Sequence, residues 1–99
     1  MPITLINSFA VEPEHEERFL AEWRGSIAHF AAAPGFLHAR LHRNTGLTGT
    51  AFQYVNVALW ADADSYRAVF EGYVPPGQRV PGVTAYPGLF EVLHEVDPS

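Results

Sequence analysis

Residues 52–60, FQYVNVALW, set an asparagine inside an otherwise apolar stretch. Period-2 alternation, aromatic and β-branched content and the lack of Gly and Pro predict a strand with Phe52, Tyr54, Asn56, Ala58 and Trp60 on one face. Gln53, Val55, Val57 and Leu59 take the other face, and both faces are apolar enough to be buried. A buried carboxamide without partners costs roughly 1–3 kcal/mol, so Asn56 is satisfied by backbone, water or a ligand. It is either a core residue tied to a neighbouring loop or a polar group in a pocket between helices and sheet. In the pocket reading, Trp60 lies four residues along the same face, Tyr66 reaches in from the next helix, and Asn7 on the first strand adds a second amide. An amide, an indole N–H and a phenol, with the flat walls of Phe52 and Tyr54, suit a flat, oxygenated aromatic ligand.

The histidines offer a second kind of chemistry. His38 and His42 lie four apart on one predicted strand, on the same face as Phe36 and Arg40. At about 3.3 Å per residue they are roughly 13 Å apart, too far to share one metal ion. His42 is either a surface histidine near a hairpin or, with an ordinary pKa of ~6.5, a proton acceptor at neutral pH. His15, on an acidic helix start, reads as solvated, and His29 and His94 have equally plain structural readings. Without cysteine, thiolate metal sites, thiol catalysis and disulfides are ruled out. None of the eight glycines is spaced for a phosphate loop, a dinucleotide fingerprint or a serine nucleophile elbow. Neither a metal nor an organic cofactor is expected.

The elements that must position these residues follow from periodicity. Ile3 to Val11 reads as a strand with Ile3, Leu5, Asn7, Phe9 and Val11 on one face. EPEHEERF opens a helix, with Pro13 in its first turn and an acidic run complementing the dipole. Phe19, Leu20, Trp23, Ile27 and Phe30 form its apolar stripe, and Pro34-Gly35 stops it. Phe36 to Arg43 and the Asn56 strand make an antiparallel hairpin across the turn-rich NTGLTGT. A second helix, capped by Asp62 or Asp64, ends near Gly72. The segment VPPGQRVPGVTAYPG, with four prolines, reads as irregular, and Leu89 to Val96 as the last strand. This βαββαβ order predicts an α+β, ferredoxin-like antiparallel sheet with helices on one face. The uncovered face, bearing Val55, Val57 and Leu59, predicts a homodimer joined sheet to sheet.

The 99 residues, 47% of them hydrophobic, are expected to form one domain over 1–99. Eleven acidic against six basic residues, with no lysine, argue against nucleic acid or an anionic membrane as partner. The N-terminus lacks the features of a signal peptide and no stretch approaches the ~20 apolar residues of a membrane span, so a cytoplasmic location is the expectation.

The chain resembles the antibiotic biosynthesis monooxygenase-like domains of the dimeric α/β-barrel class. The resemblance runs over nearly the whole chain: the strand order, PGF after the first helix, and a strand ending in Trp before an acidic, Tyr-containing helix. It is most similar to the small cofactor-free monooxygenases that oxidise aromatic polyketide phenols to quinones. PGFLHARLH resembles their segment ending in a pocket histidine, here His42, and NVALWADADSY their Asn, Trp and Tyr set, here Asn56, Trp60 and Tyr66. Arg79 stands near the place of an arginine those enzymes use. The haem-degrading relatives share Asn7 but need a Trp late in the second helix and a His beyond it, where this chain has Val69 and no histidine before His94.

The resemblance implies a phenolic substrate that itself reduces molecular oxygen. His42 or a water it orients would remove the phenol proton, while Asn56, Trp60 and Tyr66 hydrogen-bond the oxygens that gain charge. Three other functions fit the same pattern: a binding dimer without turnover, a polyketide cyclase or isomerase, and a haem binder that does not cleave haem.

Overall fold

The structure, a computed structural model, describes residues 1–71, 73 and 80–99. Its elements are strand β1 (Ile3–Val11), a 3-10 turn (Pro13–His15), helix α1 (Glu16–Ala31), strands β2 (Phe36–Arg43) and β3 (Tyr54–Trp60), helix α2 (Ala63–Val69) and strand β4 (Val83–Phe90). The sheet order is β2-β3-β1-β4 with every neighbouring pair antiparallel, the ferredoxin-like arrangement. Pro13 starts the 3-10 turn rather than α1, so the helix begins at Glu16 with Glu16 and Glu17 in its first turn. Asp62 caps α2 by accepting a hydrogen bond from the Ser65 N–H at 2.7 Å. Gly35 is required where the chain leaves α1: its φ is +86°, and the Ser65 side chain of α2 occupies the space a Cβ would take.

Residues of β1 and β3 that face the helices pair across the strands: Leu5 with Ala58, Asn7 with Asn56, Phe9 with Tyr54. The asparagine row divides the core. On one side Leu5, Ala58, Trp60 and Val69 form one buried cluster, and on the other Phe9, Val11, Phe19 and Tyr54 form a second. Apolar burial stabilises each cluster by roughly 1.5–3 kcal/mol per large side chain. Both clusters are sealed by α1, whose Phe30 packs on the first and whose Leu20 and Trp23 pack on the second.

Two local features depart from the periodicity. A bulge between Phe36 and His38 shifts the β2 register, so Phe36 pairs with Trp60 on the helix side while His38, Arg40 and His42 pair with Leu59, Val57 and Val55 on the open side. One extra residue moves every later side chain to the other face, and alternation alone does not reveal it. The last strand is β4 at Val83–Phe90, about six residues earlier than the sequence suggests, and residues 91–99 follow it without regular structure. Pro87 and Gly88 read as strand breakers, but β4 is an edge strand, where proline is tolerated because one row of N–H groups has no ladder partner.

Candidate active site

A cavity of about 450 Å³ opens between α1 and the β1–β4 side of the sheet. Asn7 and Phe9 of β1 and Val83, Ala85 and Pro87 of β4 form its floor. Helix α1 supplies one wall through Glu22, Trp23, Ser26 and Phe30, and α2 closes the end with Tyr66 and Phe70. Trp23, Ser26 and Phe30 recur every three or four positions and Glu22 lies one turn before Ser26, so they share one face of the helix. Ser26 is tied down, its hydroxyl 3.0 Å from that of Tyr73. The Tyr73 ring stacks on His29, whose Nε2 lies 3.4 Å from the Val69 carbonyl.

Among the described residues, three buried polar atoms in the sheet beneath have no hydrogen-bond partner: Asn7 Oδ1, Asn56 Oδ1 and Trp60 Nε1. Asn7 lines the cavity, and Asn56, 6% exposed, stands directly opposite it on β3. Trp60, 1% exposed, is not a cavity wall; it meets Phe36 and Tyr66 edge to face, at 5.4 and 5.7 Å between ring centres. Tyr66 thus bridges the indole and the cavity. Burial raises its phenol above the ordinary value of 10.0 and keeps the hydroxyl a donor at neutral pH.

The other residues singled out by sequence fall elsewhere. His42 pairs with Val55, so it sits on the open face, exposed, with the sheet between it and Asn56. The bulge is the physical reason it does not join the cavity. Tyr54 is on the helix face but belongs to the second core cluster, where its hydroxyl donates to Glu16 Oε1 at 2.6 Å. Phe52 precedes β3 and its ring packs at 5.4 Å on Tyr86 of the open face. The chain leaves the strand course there because the Gln53 side chain accepts the Val11 N–H at 2.6 Å. Arg79 lies outside the described residues.

Glu22 is the lining residue that the sequence pattern passes over. It flanks the apolar stripe of α1, one turn from Phe19 and one from Ser26, so an acidic residue on the edge of a core-facing stripe was its signal. Among the described lining residues there is no histidine or cysteine. The set can surround an aromatic body and hydrogen-bond its oxygens, and it offers haem no imidazole ligand.

Residues 2–72 match the family of antibiotic biosynthesis monooxygenases. A candidate monooxygenase from Shewanella loihica is 27% identical with a TM-score of 0.80, over 95% of this chain and 96% of that one. SnoaB, a cofactor-independent oxygenase from Streptomyces nogalater, is 27% identical with a TM-score of 0.80, over 98% of each chain. A haem-degrading protein from Mycobacterium tuberculosis, 21% identical with a TM-score of 0.68 over 98% of this chain and 100% of that one, shares the fold. A comparison with curated sequences finds no match.

Proposed function

The chain belongs to the antibiotic biosynthesis monooxygenase family, and from that premise we propose that it is a cofactor-independent oxygenase converting a polycyclic phenol to a quinone with molecular oxygen. The observation that carries this reading is the row of polar atoms on Asn7, Asn56 and Trp60, unpartnered among the described residues, beside an aromatic-walled cavity. Leaving such groups unpaired costs about 1–3 kcal/mol each, so they favour a ligand that pairs them. The likeness to a cofactor-independent oxygenase over nearly the whole chain supports the same chemistry.

In this mechanism the phenol loses its proton to solvent, since His42 lies across the sheet. The phenolate gives one electron to O2, and the resulting phenoxyl radical and superoxide combine at a ring carbon. The peroxide anion takes a proton back from solvent and then loses water as its C–H proton leaves, so one oxygen atom ends in the quinone carbonyl and one in water. The substrate supplies all four electrons. Each carboxamide can turn its N–H toward the oxygens that gain charge, and the Trp60 indole and Tyr66 hydroxyl add two further donors.

A second copy of the chain covers the open face in this reading. Ile6, Val55, Val57 and Leu59 form the apolar middle of that face, and Tyr86 and Phe90 on the edge strand are 55% and 52% exposed. Val57→Asp should convert a sedimenting dimer to monomer, because an unpaired carboxylate would be desolvated at the contact. A parent chain that sediments as a monomer at micromolar concentration removes the dimer.

The decisive experiment is oxygen uptake with a naphthol or a hydroxyanthrone by chelator-treated protein. One O2 consumed per quinone formed is expected. A protein that binds these phenols but consumes no oxygen above the buffer control is a binding module or an isomerase.

A further inference from the structure

We propose that Glu22 selects the ligand: its carboxylate accepts a hydrogen bond from a hydroxyl of a neutral aromatic guest and turns away guests that carry a carboxylate. The proposal rests on the cavity being the substrate site, as in the preceding reading, and adds the residue that decides which aromatics enter it.

The acidic residues separate cleanly by burial. Nine of the eleven are exposed, and only Glu16 and Glu22, six residues apart on α1, are partly buried. Glu16 is engaged, accepting from the Tyr54 hydroxyl at 2.6 Å. Glu22 has no hydrogen bond and no ion pair among the described residues; Arg18, one turn earlier on the same helix, is exposed and makes none with it. Instead Glu22 is a cavity wall, beside Phe19, Trp23 and Ser26. An acceptor-only group in an apolar recess is incomplete until a donor reaches it. Ser26, one turn on, is already committed to Tyr73.

The second observation comes from the floor. Asn7 lines the same cavity, and its carbonyl oxygen is buried without a partner among the described residues. Glu22 on α1 and Asn7 on β1 are thus polar walls, from different elements, of one space whose remaining described walls are largely apolar, and the Glu22 carboxylate, which has no N–H to turn, can only accept. A guest that fits presents hydroxyl hydrogens: a neutral, hydroxylated aromatic. An aryl carboxylate would place a second negative charge beside Glu22, and like charges brought together away from water repel strongly.

The test is calorimetric titration of the parent, Glu22→Gln and Glu22→Leu with three guests of one shape: 2-naphthol, 2-methoxynaphthalene and 2-naphthoate. The parent should bind the naphthol at least about tenfold more tightly than either of the others, the size expected for a hydrogen bond to a charged acceptor. Glu22→Leu should erase the preference for naphthol over its methyl ether. Glu22→Gln should tighten naphthoate by about tenfold while weakening naphthol less than Glu22→Leu does, since the amide keeps an acceptor and loses the charge. A structural role for Glu22 would shift all three guests together, and selectivity ratios unchanged within a factor of two in both variants overturn the proposal. A parent that binds none of the three overturns it as well. Selective binding without oxygen uptake leaves Glu22 its role and removes the oxygenase; oxygen uptake with unaltered selectivity in the variants does the reverse.

Discussion

Tyr54 and Asn56 stand two residues apart on the helix-facing side of β3, 2% and 6% exposed, and they differ in what completes them. The Tyr54 hydroxyl is closed by Glu16, within a ring of Phe9, Phe19 and Val11. Among the described residues nothing closes the Asn56 carbonyl oxygen, that of its cross-strand neighbour Asn7 or the Trp60 indole. Both places carry a polar group in an apolar core. In the first the protein supplies the partner, so the group fixes where α1 lies on the sheet. In the second the partner is left to arrive, and the row interrupts what would otherwise be one continuous core. Polarity within a core is therefore ambiguous until its partners are counted.

The largest effect that could break this contrast is on turnover. Asn56→Ala and Trp60→Phe should each lower kcat by ~10²–10³ while changing KM little, as expected for donors that act on developing charge. Trp60→Phe keeps an aromatic ring between Phe36 and Tyr66 and deletes the N–H. Tyr54→Phe, equally buried and equally close along the strand, should stay within a factor of about three of the parent, because its group is spent on Glu16. Steady-state oxygen consumption measures all three. Equal losses at Tyr54 and Asn56 would mean that the whole β3 face is structural scaffold.

Much of this contrast is legible in the sequence, and the reasons for the remainder are local. The bounds of β1, the alternation of β3, the stripe of α1 and the strand order follow from hydrophobic period, which tertiary packing reinforces at each of these places. Asn56 stood out because a carboxamide broke that period. Nothing in the period signals the bulge after Phe36, and it carries His42 to the far side of the sheet from the residues it was expected to serve. The β4 edge was hidden by Pro87 and Gly88, whose penalties in a strand interior do not apply at an edge. Glu22 was hidden in a different way: its charge reads as solvent-facing, and only the gap between α1 and β4 makes it a wall.

A middle-sized effect sharpens the contrast through stability rather than rate. If the asparagine row is unsatisfied in the free protein, replacing both members with apolar residues of similar size removes two desolvated groups. Asn7→Leu with Asn56→Leu should therefore raise the unfolding free energy by about 1–3 kcal/mol, and merge the two core clusters, while abolishing turnover. Thermal or urea unfolding of the double variant reads this directly. A net loss of stability would show that the asparagines are satisfied internally, and the site would lose its main support.

The smallest effect lies at the closed end, and its pH dependence separates a satisfied hydroxyl from a merely buried ring. Tyr54→Phe should cost about 1 kcal/mol at pH 7, the net value of one hydrogen bond exchanged with water. In the parent, burial and then the neighbouring Glu16 raise the Tyr54 phenol above its ordinary value of 10.0. The folded protein thus holds this proton to higher pH than the unfolded chain does. The associated stability is fully present below about pH 10, where neither state has ionised, and declines as pH rises toward the folded-state value. The variant has no such proton at position 54, so the gap between parent and Tyr54→Phe should be widest near neutrality and narrow above pH 10. Tyr66, also raised by burial but without Glu16 beside it, remains in both proteins and cancels from the difference. Urea midpoints for the two proteins at pH 7 and pH 10.5 measure the change. A gap that stays constant or widens at the alkaline pH would mean that the Tyr54–Glu16 contact contributes nothing beyond the ring, and Tyr54 would then be as incomplete as Asn56.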